Sequence, residues 1–278
     1  MTSGREVAAN LSAAAELLKE ASEQGAQLVV LPENFAFLGA EDSERLAAAE
    51  RWGHGPIQEF LCNQAAEKGI WLVGGTIAIW DDSGQGDDGR QRDESVPEEG
   101  ARARSASLLL DPQGEIHARY DKIHLFDVGI PASPESYRES AATAPGTEVV
   151  SADTPLGRIG MAVCYDLRFP ALFDRLGAMG ADILTLPAAF TVPTGEVHWR
   201  VLIRARAIEA LSYVVAAAQG GEHAGGRRTY GHSMIVDPWG AVIAERDAGA
   251  GVVMAELDMM ALGQLRERFP ALQHRRLL

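Results

Sequence analysis

The chain has 278 residues, 46% hydrophobic and 23% charged, which is material for a large core in one undivided domain spanning 1–278. No apolar run reaches the roughly 18–20 residues of a membrane span, Met1–Asn10 lacks the pattern of a secretory signal, and two cysteines, Cys62 and Cys164, make no disulfide framework; the expectation is a cytoplasmic protein. A formal net charge of -14 disfavours nucleic acid and anionic membrane as partners, but a locally basic site could still take an anionic small molecule.

In chain order, the polar Met1–Glu6 leads into an amphipathic helix over Leu11–Glu23, stopped at Gly25. A buried strand, Leu28–Leu31, follows and runs into Pro32-Glu33. Ile57–Lys68 reads as a helix and Ile70–Ile79 as an apolar strand. Between Asp81 and Arg104 the pattern fails. The segment is polar, acidic and Gly-rich, so loop 81–104 is expected to be solvated and mobile, with no function assigned. Ser107–Leu110 then turns through Asp111-Pro112-Gln113-Gly114, a sequence suited to a type I turn.

The second half repeats the first. A strand, Gly160–Val163, ends at Cys164. A helix over Phe169–Met179 stops at Gly180, and a strand occupies Ile183–Leu186. Gly180–Phe190 resembles Gly25–Phe35. The helix His198–Ala210 and strand Ser212–Ala218 follow. Ser233–Val236 then turns through Asp237-Pro238-Trp239-Gly240, a hairpin of the same design as the first. The tail after Leu257 holds one short helix. Two alike halves predict an α/β fold of two face-to-face sheets with helices outside. The repeat is uneven in one place. The second half has a strand ahead of its first helix, whereas the first half opens on Met1–Glu6, so the first sheet is expected to lack that strand.

Three residues draw attention. Cys164 closes a buried strand just before a helical turn, where free N–H groups favour a thiolate, though a small core cysteine would sit there equally well. Glu33 ends the strand whose counterpart ends in Ala188, and reads either as a general base or as a solvated loop acid. Lys122 follows the first hairpin and alone would be an ordinary surface lysine. Together, thiol, carboxylate and ammonium supply the nucleophile, base and oxyanion partner of amide cleavage. Cys62, inside a helix, reads as core. The seven histidines show no metal-ligand spacing, and there is no P-loop, dinucleotide-binding Gly-x-Gly-x-x-Gly or Gly-x-Ser-x-Gly. No metal and no cofactor is expected.

Leu31-Pro32-Glu33-Asn34, Tyr120–Phe126 and Val163–Pro170 resemble, in order, the three signature segments of the nitrilase superfamily of carbon–nitrogen hydrolases. The likeness covers nearly the whole chain and implies an αββα sandwich. It also implies Glu33 as general base, Lys122 as oxyanion stabiliser, Cys164 as nucleophile and Glu139 as a further glutamate orienting the lysine. Cys-Tyr-Asp at 164–166 looks like the amidase branches. Ala171, Ser105 and the length of the acidic loop depart from the family pattern and leave the substrate open. The competing reading is a non-catalytic binding relative.

The expected partner is a small-molecule amide bearing a carboxylate, gripped by Arg168 four residues past the nucleophile. An ion pair between Arg168 and a loop acid is the structural alternative. The N–H of Tyr165 is expected to assist Lys122 at the oxyanion. A homodimer is expected through the helix His198–Ile208, which is apolar on more than one side.

Overall fold

A computed structural model of the chain describes residues 1–80, 102–130 and 136–276. Most of the expected loop 81–104 lies outside the described residues, and by Ala103 the chain is already in a strand.

The first half begins with α1 (Val7–Glu23), which buries Asn10, Ala14, Leu18 and Ala21 on one stripe. It starts a turn earlier than its apolar spacing announced. The buried Asn10 side chain explains the gain: it bonds the backbone of Gly4 and Ala36, closing the loop ahead of the helix. Strand β1 (Leu28–Val30) is followed by α2 (Pro56–Lys68), which has Pro in its first turn and the left-handed Gly69 at its end. The single strand expected over Ile70–Ile79 is two, β2 (Trp71–Val73) and β3 (Ile77–Trp80). Gly75 breaks it with φ 57, and a Cβ there would lie 2.2 Å from the Pro32 carbonyl oxygen. That close approach seats the segment leading to Glu33. Strands β4 (Ala103–Leu110) and β5 (Ile116–Asp121) form the hairpin. A two-stranded ribbon of β6 (Asp127–Gly129) and β7 (Ser136–Arg138) and the short β8 (Thr143–Ala144) complete the half.

The second half runs β9 (Ser151–Thr154), β10 (Gly157–Met161), a 3₁₀ turn Cys164–Arg168, α3 (Pro170–Ala178) and β11 (Ile183–Ala188). A short α4 (Val192–Thr194) and a π turn (Gly195–Trp199) lead into α5 (Arg200–Ala210). Then come β12 (Tyr213–Ala218), the ribbon β13 (Gly220–Glu222) and β14 (Arg228–Tyr230), the hairpin β15 (Ser233–Val236) and β16 (Val242–Arg246), and α6 (Met259–Arg268).

Strand pairing establishes the internal repeat. In the first sheet β1 is parallel to β2, β2 antiparallel to β4, and β4 antiparallel to β5. The second sheet repeats this with β11, β12, β15 and β16. Both hairpins carry a register shift at the same place, Leu109/Leu110 and Ile235/Val236. Alternation along the strands divides the core. Leu72, Leu108 and Leu110 pack with Leu18 and Leu61 of the helices on one face, while Val73 and Leu109 face the other way, into the cluster of the second sheet. Phe173 and Leu176 of α3 and Ile203 and Ala207 of α5 join that second cluster. The fold is mixed α/β, as expected.

One partner is unmatched. β10 pairs in parallel with β11 (Ile159 opposite Ile183), but β1 pairs only with β2 among the described residues. The other edge of β1 borders a groove of about 810 Å³, lined by Leu28–Pro32, Leu18 and Ala21 of α1, β12 and residues 251–257. Met1 stands at its rim, its carbonyl accepting from the Gly220 N–H at 3.0 Å. An apolar strand offered to this edge should bind as β10 binds β11. Fusing a copy of Arg158–Val163 ahead of Met1 is expected to raise Tm by several degrees, at roughly 2–4 °C per kcal/mol for a chain of this size. An unchanged or lowered Tm by calorimetry would show that the edge needs no partner.

Candidate active site

Glu33 is carried just beyond β1, held by the Gly75 approach behind Pro32 and by the Asn34 N–H donating to Thr76 Oγ1 at 2.9 Å. It is only 4% exposed. Lys122 leaves the end of β5 with its N–H donating to the Ser105 carbonyl at 2.9 Å, so its backbone is fixed to β4. Its side chain is 2% exposed, which removes the surface-lysine reading. Nζ donates to Glu33 Oε1 at 2.8 Å and to Glu139 at 2.8 Å (Oε2) and 3.1 Å (Oε1). Glu139 sits in the short turn after β7. Its Oε2 also accepts from the Phe126 N–H at 2.7 Å, and Arg45 Nη1 lies 3.4 Å from Oε1.

Buried charges of this kind persist only when they neutralise one another. Burial works against the charge on Lys122, but Glu139 and Glu33 outweigh it and hold the ammonium protonated far above its ordinary range. Burial likewise opposes the Glu139 charge, and Lys122 and Arg45 overcome it, keeping that carboxyl below the usual range.

Cys164 opens the 3₁₀ turn that follows β10, with the extended Val163 before it and its own φ at 46. A residue with a side chain takes that conformation at a cost, and this one turns the thiol out of the sheet into the cleft. The Ala189 N–H, just past β11, donates to Sγ at 3.5 Å. Burial first, and then the Glu33 charge, push the thiol well above its ordinary range, while Lys122 and the Ala189 N–H pull it back. At neutral pH the resting group is therefore the thiol, and a thiol becomes a strong nucleophile only once a base removes its proton.

Glu33, Lys122, Glu139, Cys164, Tyr165 and Arg168 all line one cleft, so every site residue expected from the sequence is brought together. Cys62 is on α2 and does not line it. Arg168 has no carboxylate partner among the described residues, against the ion-pair reading. Its Nη1 donates to His198 Nδ1 at 3.1 Å, and its guanidinium stands 5.2 Å from the Phe190 ring centre and 5.7 Å from that of Tyr165. Burial and the Arg168 charge keep His198 below the ordinary histidine range, so it accepts that bond as a neutral ring.

Three participants carried no signal in the sequence. Arg45 lies in a 3₁₀ helix (Asp42–Ala48) 94 residues before its partner Glu139, His198 is 30 residues past Arg168, and Ala189 contributes only its backbone. One group of metal-ligand type exists among the described residues, His232, Glu245 and Asp247, but Glu245 is already engaged by Arg200 and the group does not line the cleft.

The carbon–nitrogen hydrolase family model matches residues 2–267. The chain is 41% identical over 276 residues to deaminated glutathione amidase of Yersinia enterocolitica, covering 99% of this chain and 91% of that one. It is 43% identical over 268 residues to the human enzyme of the same name, covering 96% and 77%. Among solved structures, the Caenorhabditis elegans NitFhit protein superposes with a TM-score of 0.83 at 37% identity, over 99% of this chain and 63% of the longer NitFhit chain. With the whole fold and the thiol–carboxylate–ammonium cleft in place, this chain belongs to the carbon–nitrogen hydrolase family and is an amide-hydrolysing enzyme.

Proposed function

We propose that the enzyme cleaves its amide through Cys164, with Glu33 as base, Lys122 as oxyanion partner and Glu139 orienting Lys122. The observation that carries this is the buried Lys122 Nζ, held within 2.8 Å of both carboxylates in the cleft that contains the thiol. Glu33 takes the thiol proton as sulfur bonds to the amide carbon. The resulting oxyanion faces the Lys122 ammonium and the Tyr165 N–H. Glu33 then passes its proton to the leaving nitrogen, the C–N bond breaks, and a thioester remains. Water, giving a proton to Glu33, attacks the thioester. The C–S bond breaks, and the carboxylic acid and free thiol are restored.

The substrate we propose is deaminated glutathione, cleaved to 2-oxoglutarate and cysteinylglycine. The two curated relatives named above support it, as does the Arg168 guanidinium in the cleft, which has no acidic partner among the described residues. Arg168, flanked by two aromatic rings and oriented by a neutral His198, is available to a substrate carboxylate. An ω-amidase would prefer α-ketoglutaramate, and a nitrile-cleaving enzyme a simple nitrile.

We also propose a homodimer acting in the cytoplasm. Val197, Val201 and Ile208 are exposed at spacings of four and seven residues along the π turn and α5, and Ile208 lies against Gly240, beside the exposed Trp239. An apolar surface of this kind fits a helix-to-helix contact between copies. No helix among the described residues is long and apolar enough to cross a membrane.

Cys164→Ala, Glu33→Gln and Lys122→Met should each lower kcat by about 10³-fold or more on deaminated glutathione, and double variants should lose little further, as groups acting as a unit do. Near-normal turnover in Glu33→Gln would remove it as the base, and faster turnover of α-ketoglutaramate would reassign the substrate. Arg168→Ala is expected to raise KM for carboxylate-bearing amides at least tenfold more than for neutral ones, and an equal effect on both would return Arg168 to a structural role. Light scattering at micromolar concentration should give the mass of two chains, and Val201→Glu should give one. A monomer in the unaltered protein would reject the dimer.

A further inference from the structure

Asp166 is fully buried, yet no step above uses it. Its carboxylate accepts four hydrogen bonds. Oδ2 accepts from the Tyr120 hydroxyl at 2.7 Å and the Val163 N–H at 2.9 Å, and Oδ1 from the His124 backbone N–H at 3.1 Å and ring Nδ1 at 2.7 Å. The donors come from two places only. Tyr120 and His124 stand two residues either side of Lys122, and Val163 directly precedes Cys164. The His124 ring also stacks on Phe169, just past the nucleophile turn, at 3.7 Å and 6° between planes.

A buried carboxylate is strongly disfavoured unless its oxygens are satisfied. Here they are satisfied by groups that bracket the two segments carrying the thiol and the ammonium. The turn they brace starts at a residue held at φ 46, a conformation that persists only where its surroundings enforce it. We propose that Asp166 is a positioning residue of this amidase, clipping the Cys164 turn to the Lys122 segment and so setting the separation of sulfur and ammonium. The proposal rests on the reading of Cys164 as nucleophile and Lys122 as its cationic partner.

Charge and position pull in opposite directions here, which gives the test its power. The groups facing the thiol are Glu33, Lys122, Arg168 and the Ala189 N–H, with Glu139 and Arg45 behind Lys122. Removing the negative charge of Asp166 would, by itself, ease thiol ionisation and move alkylation of Cys164 to lower pH. Letting Lys122 drift from the sulfur would move it to higher pH.

The experiment follows iodoacetamide labelling of Cys164 against pH, resolved from Cys62 by peptide mass spectrometry, with kcat and KM measured alongside. Asp166→Asn should shift half-maximal labelling upward by about one pH unit, a typical size for weakening a close charge partner. It should also lower kcat at least tenfold with KM little changed. Tyr120→Phe leaves all charges in place and removes one of the four bonds. It should shift labelling in the same direction by less, and it decides the matter if Asp166→Asn does not fold. A folded Asp166→Asn with labelling unshifted or moved downward and kcat near normal would overturn the clip. Activity surviving in Cys164→Ala would instead overturn the nucleophile assignment on which the clip depends, so the two failures are distinguishable.

Discussion

The active site hangs on a single buried ammonium. Lys122 reaches Glu33 from the first sheet and Glu139 from the turn after β7, and Arg45 approaches Glu139 from a third segment. Formally this is two negative and two positive charges in a space nearly closed to water. Each would be costly alone, and each is kept by the others. The four come from positions 33, 45, 122 and 139, so the group joins segments spread across the first half of the chain. Cys164 comes from the second half. Truncating any one charge leaves the rest uncompensated, and such a site is lost as a unit.

The internal repeat explains where the cleft lies and why it is lopsided. β1 and β11 are equivalent strands, and both deliver a Pro just before the cleft, Pro32 after β1 and Pro187 within β11. Past that point the halves diverge. The first supplies the Glu33 carboxylate. The second supplies Ala188 and then Ala189, whose N–H meets the sulfur. A second carboxylate at Ala188 would add negative charge near a thiol whose ionisation Glu33 already opposes. The cleft therefore takes its buried carboxylate from one half, and its thiol and the backbone donor to that thiol from the other.

Much of this was legible in the sequence, and the reason is local chemistry. Helix stops at Gly25 and Gly180, paired Asp-Pro-x-Gly turns and a Cys at a strand end are short-range signals, and the repeat doubled the first two. What escaped was of two kinds. The long strand over Ile70–Ile79 failed because Gly75 responds to Pro32, a residue far off in sequence. Helix α1 began early because Asn10 satisfies the backbone of Gly4 and Ala36. In both, a tertiary contact overruled a local pattern. Arg45, His198 and Asp166 escaped for a related reason: each acts through a partner 30 or more residues away.

The state of the thiol ties these parts together. A low-pKa cysteine would be reactive at rest and open to any electrophile or oxidant that reached it. This one is buried beside a carboxylate and stays protonated. In the mechanism proposed above, its reactivity depends on Glu33 accepting the proton at the moment the carbonyl carbon arrives, when negative charge passes from sulfur to oxygen and Lys122 gains an oxyanion partner. On that proposal, the carboxylate that opposes ionisation of the thiol is also the group that accepts its proton. The same proposal favours amides over stray electrophiles, because only a substrate that develops an oxyanion within reach of Lys122 repays the proton transfer.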